Sequence, residues 1–188
     1  MNDGRIVKAS RIQGHRLNLR DVTERDAAFI LNLRTHEKTS RYISPTSLQL
    51  SEQIDWLRSY RCDTAQAYFI IERVDGTPIG TVRMYDARGP ALCWGSWILK
   101  PEEPFYHAIE SAMMIYMYGL CLGFSSAHFE VDKRNISVCR FHENFGARCV
   151  GESDGQWLYK ISAEGIQAGL GRYKRYLPSG IAVTAAQS

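Results

Sequence analysis

The sequence predicts an α/β (α+β) fold: a mixed, mostly antiparallel sheet of seven strands, with a central parallel pair and flanking helices. Two observations carry this expectation. Short apolar or alternating stretches are joined by the turn signals Asp75-Gly76, Gly89-Pro90 and Asp154-Gly155, which mark hairpins. Two segments of helical periodicity stand between strands in the second half of the chain, where a crossover joins strands that run the same way. The resulting order is β-α-α-β-β-β-α-β-α-β-β.

Taken in order, residues 15–20 alternate around Leu17 and Leu19, as one face of a strand does. Thr23 stands as an N-cap with Asp26 three residues on, a capping box in which Asp replaces Glu. Ala27, Ile30, Leu31 and Arg34 continue at helical spacing. Residues 35–50 are polar and contain Pro45, which predicts a loop, and Ser51 is expected to cap a second helix carrying Ile54, Trp56 and Leu57. Strands follow at 67–74, 78–85 and 91–99. A long helix over 107–122 places Ile109, Ala112, Met113, Tyr116 and Leu120 on one apolar stripe. A strand at 127–132 leads into a helix at 135–145, ended by Gly146 as C′ residue. Strands at 147–152 and 156–161 complete the sheet, and a helix at 163–176 is appended. Residues 1–11 and 179–188 are expected to fray.

A length of 188 residues predicts a single domain spanning 1–188, able to bury a core without staples. The net charge of +3, from 23 basic and 20 acidic residues, is too balanced to imply nucleic acid. The basic cluster at 172–175 is expected to be a solvated helix face. Cys62, Cys93, Cys121, Cys139 and Cys149 are odd in number and scattered, which argues against a disulfide framework and against a metal site. A reducing, cytoplasmic setting follows. The N-terminus has no apolar signal core, and the apolar run at 112–124 is interrupted by Gly119 and Gly123 and is too short to cross a membrane, so no membrane partner is expected.

Five segments fall on these elements in sequence: Asn18-Leu-Arg-Asp-Val-Thr-Glu-Arg-Asp-Ala27, Pro78-Ile-Gly-Thr-Val-Arg83, Gly95-Ser-Trp-Ile-Leu99, Glu130-Val-Asp-Lys-Arg-Asn135 and Phe141-His-Glu-Asn-Phe-Gly146. The ordered set, over residues 15–160, resembles the GNAT N-acetyltransferases. Within them it resembles the branch that acetylates ribosomal proteins and the amino-sugar acetyltransferases of polysaccharide pathways. The resemblance implies transfer of an acetyl group from acetyl-coenzyme A, the acyl donor, to a primary amine. The expected acceptor is a small molecule such as a nucleotide-linked amino sugar, and a homodimer is compatible with the family. The alternatives are an N-terminal acetyltransferase of the ribosomal-protein type, or a catalytically degenerate domain that only binds a ligand. One departure favours the last: where the family carries Q/R-x-x-G-x-G/A for the cofactor pyrophosphate, this chain has Glu103-Pro-Phe-Tyr-His-Ala108. Of that stretch Ala108 alone fits, and Glu102 and Glu103 would repel a pyrophosphate unless they point to solvent.

Acyl transfer needs a base for the ammonium, a donor for the oxyanion and a proton for the thiolate. His128, Glu130 and Asp132 share one face of their strand, so that face borders a cleft. The resemblance makes Glu130 the base; otherwise it is a surface carboxylate. His142 falls where many family members place a tyrosine that protonates the thiolate, on the inward side of its helix; otherwise it is a core histidine. Gly95 inside a strand marks a bulge or close approach. By resemblance Gly95, Ser96 and Trp97 supply the oxyanion donor; otherwise Gly95 makes room for Trp94 or Trp97. The resemblance also assigns Trp97, Ile98, Leu99, Tyr106, His107, Ala108, Asn135, Val138 and Phe141 to the cofactor, with Asn135 serving equally as an N-cap. Residues 34–42 resemble the matching segment of surface-polysaccharide enzymes. Arg34 and Arg41 would meet a diphosphate and Tyr42 would stack on a base or sugar, unless they are ordinary solvated charges. Trp56, Tyr68 and Trp94 are further candidates for the acceptor wall.

Overall fold

The computed structural model describes residues 4–186. The chain forms β1 (Ala9–Gln13), β2 (Leu17–Asp21), α1 (Ala27–Thr35), α2 (Leu50–Cys62), β3 (Ala67–Arg73), β4 (Pro78–Arg88), β5 (Ala91–Leu99), α3 (Phe105–Cys121), β6 (Ser126–Asp132), α4 (Ile136–Phe145), β7 (Arg148–Ser153), β8 (Gln156–Ile161), α5 (Ala163–Arg172) and β9 (Ala182–Ala185). All strands belong to one sheet, in the order β7-β8-β6-β5-β4-β3-β2-β1-β9. Every pairing is antiparallel except β5 with β6.

The fold class is the one expected, but the sheet has nine strands rather than seven. Of the additional strands, β9 lies within a segment expected to fray and β1 begins in the other, and they pair with each other. A register shift between Ala9 and Arg11 breaks the alternation of β1, and β9 is exposed along its whole length. Residues 1–3 and 187–188 of the expected frayed ends lie outside the described residues. Two smaller corrections concern helix ends. Gln49 precedes α2, so Ser51 sits inside its first turn rather than capping it. The appended helix stops at Arg172 and gives way to a separate turn at Lys174–Tyr176. No helix among the described residues is long and apolar enough to cross a membrane.

Alternation sends side chains to two faces. Leu17, Leu19, Phe69, Val82, Met84 and Phe129 pack under α3, α4 and α5 in the larger core. Val22, Ile30, Leu57, Tyr60, Tyr68 and Ile70 form the smaller core under α1 and α2. Each fully buried Ile or Leu contributes about 1.5–3 kcal/mol. α3 is pinned by Glu110, whose buried carboxylate accepts the backbone N–H groups of His15, Arg16 and Leu17 at 2.7, 2.7 and 3.1 Å. Glycine at position 14 permits this approach, because a Cβ there would lie 2.8 Å from Glu110 Oε1.

The site is prepared by a short pairing. β5 and β6 align through Ala91↔Ser126, Leu92↔Ala127 and Cys93↔His128. Beyond Cys93 the two parallel strands separate, and the edge of β5 facing β6 has no strand partner.

Candidate active site

The open part of β5 carries a bulge. Arg83 pairs with Gly95 and Thr81 with Ile98, so Ser96 and Trp97 together oppose Val82. Ser96 has φ +46°, in the left-handed region, and its carbonyl accepts from Thr81 Oγ1 at 2.9 Å. The strained residue therefore sits at the turn of the bulge, where backbone groups leave the β4–β5 ladder.

Gly95 and Ser96 form the wall of a cavity of about 760 Å³ that also takes in Glu130, Arg34, Arg41 and Tyr42. Six residues named separately as base, oxyanion loop and acceptor contacts are thus brought together. Trp56 and Tyr68 line the same cavity. Glu130 extends from β6 on the solvent side, while its neighbours Phe129 and Val131 are buried in the larger core. Asp132, on the same face, is committed elsewhere: Arg134 donates to it through Nε at 3.0 Å and Nη2 at 2.7 Å, and these bonds hold its carboxyl down to about 2.

Among the cavity residues missed by sequence reasoning are Arg83, Tyr85 and Arg134. The alternation Thr81, Arg83, Tyr85 against Val82, Met84 was the available signal, since it puts polar groups on one face of an interior strand. Burial raises the Tyr85 phenol, which keeps it a hydrogen-bond donor. Gly95 makes room for this ring rather than for Trp94 or Trp97.

Several expected site residues are placed otherwise. Trp94 points to the opposite face of β5, against Tyr116 at 5.4 Å and Phe129 at 6.0 Å, and does not reach the cavity. His142 is 4 % exposed, with Phe129 at 4.1 Å and Trp94 at 5.3 Å. Its Nδ1 has no partner, and burial pushes its pKa down to about 3. Burial among these rings favours the neutral imidazole over the imidazolium. Arg34 borders the cavity, but it donates to Thr46 Oγ1 at 2.7 Å and Ser44 O at 3.3 Å, so it anchors that loop. Arg41 stays exposed, 4.0 Å from Glu37.

On the cofactor side, α3 begins at Phe105 and Tyr106, after Pro104. Glu103, one of the two carboxylates that would repel a pyrophosphate unless turned to solvent, is buried instead. Its side chain is 1 % exposed and binds Arg73 Nη2 at 2.5 Å and His107 Nδ1 at 2.6 Å. Its charge is compensated by Arg73, and the His107 ring beside it is buried. Trp97 Nε1 donates to Ser111 Oγ at 3.1 Å, and Ser111 Oγ donates to Ala108 O at 3.0 Å, which ties the bulge to the first turns of α3. Asn135 caps α4, its Oδ1 accepting from Val138 N at 3.4 Å. Phe141 lies 5.1 Å from the Trp97 ring, and both pack with Val138 against the larger core. Ile98 is buried, pairing with Thr81, and Leu99 is half-buried. A free strand edge, a helix N-terminus and a compensated carboxylate together fit a pantetheine diphosphate arm.

A family model described as an acetyltransferase (GNAT) domain matches residues 16–148. A solved structure described as apo FdhC, a nucleotide-linked sugar GNAT, is 38 % identical, with a TM-score of 0.79; it covers 89 % of this chain and 98 % of its own. A probable GNAT acetyltransferase from Chromobacterium violaceum is 14 % identical, with a TM-score of 0.76 and coverage of 89 % and 92 %. A spermidine N-acetyltransferase chimera of Vibrio cholerae SpeG and hSSAT is 17 % identical, with a TM-score of 0.70 and coverage of 81 % and 99 %. The last two share the fold alone. A search of curated protein sequences gives no match. With 133 consecutive residues under the family model and a nearly full-length structural relative, the chain belongs to the GNAT acetyltransferase family.

Proposed function

We propose that the protein transfers an acetyl group from acetyl-coenzyme A to the primary amine of a nucleotide-linked amino sugar. The observation that carries this is the meeting of Glu130 with the Gly95–Ser96 bulge in the wall of one cavity rimmed by Arg41, Tyr42 and Arg134. Glu130 takes a proton from the acceptor ammonium. The freed amine attacks the thioester carbon, while a backbone N–H at the bulge donates to the developing oxyanion. The C–N bond forms, the C–S bond breaks, and the thiolate takes up the second nitrogen proton as the intermediate collapses. The products are the amide, the thiol and one released proton. The pairing of Glu103 with Arg73 and His107 supports a working cofactor site, because it removes the repulsion that favoured a ligand-binding module.

Thiol release from acetyl-coenzyme A, measured with purified protein against nucleotide-linked amino sugars, polyamines and ribosomal-protein N-terminal peptides, tests this. Turnover with the first class is the expected result. Efficient turnover of peptides with none on any amino-sugar nucleotide would replace it with the N-terminal reading.

A further inference from the structure

Arg83 is a charged cavity residue that the chemistry above does not employ. It lies mid-strand on β4, directly opposite Gly95. Its guanidinium sits between two rings, 4.5 Å from the Tyr85 centroid and 5.6 Å from that of Trp56. Its Nε is buried without a hydrogen-bond partner, and Nη1 donates to the neutral Gln66 Oε1 at a long 3.3 Å. Among the described residues it forms no ion pair. The neighbouring cations are engaged: Arg134 by Asp132, and Arg34 by Thr46 and Ser44.

A partly desolvated guanidinium without counter-charge is costly, and facing rings return only part of that cost. The same charge repels an ammonium arriving at Glu130. An acceptor that also carries a negative group turns that repulsion into attraction. The planar fork of arginine suits phosphoryl oxygens. A cavity of about 760 Å³ is more than a small amino acid fills, and lies in the range that holds ligands of nucleotide size.

We infer that Arg83, held between Trp56 and Tyr85, is the subsite for a phosphoryl group of the acceptor and selects anionic acceptors over polyamines. This rests on, and deepens, the amino-sugar nucleotide reading above. It makes Arg83 the residue that reads the diphosphate, in place of the loop-bound Arg34.

Calorimetric titration with inorganic pyrophosphate tests the subsite without turnover. The wild type binds saturably, and Arg83→Gln loses affinity by about tenfold or more. Arg83→Lys keeps the charge but not the fork and falls between the two, so the test survives if the glutamine variant does not fold. Equal affinity in wild type and variants, or no binding by the wild type at tens of millimolar, overturns the inference. With a nucleotide-linked amino sugar as acceptor, Arg83→Lys raises the acceptor KM by a larger factor than it does for a free amino sugar, and by a larger factor than it does for acetyl-coenzyme A. Equal losses on both acceptors also overturn it. If no amino-sugar nucleotide is turned over yet pyrophosphate binding depends on Arg83, the functional reading fails and the anion subsite stands.

Discussion

The hydroxyl of Tyr85 fills the space that a side chain at position 95 would need: a Cβ built on Gly95 lies 2.9 Å from Tyr85 Oη. The ring is backed by Arg83 at 4.5 Å, which restricts its escape. Gly95→Ala should therefore disturb the bulge side of the cavity, lowering kcat/KM by about tenfold or more, as small misplacements at a reacting centre do. Melting should shift by only a few degrees, because the crowded atom is the end of a side chain. In a Tyr85→Ala background the Gly95→Ala penalty should shrink. Strict additivity of the two changes would show that this contact is not the cause.

Glu130→Gln keeps shape and removes the base. Because the side chain is exposed, stability should be unchanged while kcat falls by about 10²–10⁴-fold. Stopped-flow thiol release at saturating substrates measures this, and a wild-type rate across the pH range would remove Glu130 from the mechanism.

His142→Phe should raise stability or leave it unchanged, since it replaces an unpartnered buried nitrogen with carbon. The pH dependence follows from a folded pKa of about 3, below the unfolded value of about 6.5. Between those values the unfolded chain binds more protons, so this group's contribution is full above the unfolded pKa and is lost as pH falls toward the folded one. Denaturant melts from pH 7 to 4 should give a flatter curve for the variant. Activity at neutral pH should be retained; a loss of several hundredfold in kcat with intact folding would restore a proton-transfer role.

Acetyl-coenzyme A at about 100 times its Kd should stabilise the wild type by roughly 2.7 kcal/mol. Glu103→Gln should weaken this. It loses charge-assisted bonds to Arg73 and His107, at a cost of about 1–3 kcal/mol in the free protein, and loosens the entry to α3. Its KM for acetyl-coenzyme A should rise more than that for the acceptor. Equal melting shifts in the two proteins would mean that Glu103 does not support the cofactor end.

The interior elements were legible because their patterns are strong. β3, β4 and β5 lie within a few residues of the expected strands, and the stripe of α3 is continuous. The cleft-facing side of β6 was legible from alternation, while the choice of Glu130 on that side rested on the resemblance. The same rule excludes Trp94, since it adjoins Gly95 and successive strand residues face opposite ways. It would also have found Arg83 and Tyr85. The inward side of α4 was legible for His142, but the depth of its cage was not, because four of the enclosing rings come from strands far apart in sequence: Trp94, Trp97, Phe129 and Tyr159. The compensation of Glu103 was not legible for a like reason: its partner Arg73 stands 30 positions away on β3.

β9 closes an edge that β1 leaves open for most of the chain. Ser10 Oγ donates to Thr184 O across 174 positions. On a ribosome adding about 5–20 residues per second, β1 waits on the order of ten seconds or more for that partner. Throughout that interval the newborn hairpin shows neighbouring chains a row of unpaired amides, the usual seed of edge-to-edge aggregation. Arg11, at the middle of β1, supplies a charge there during the wait, and the seam that finishes the sheet is the one whose delay a crowded cell would punish first.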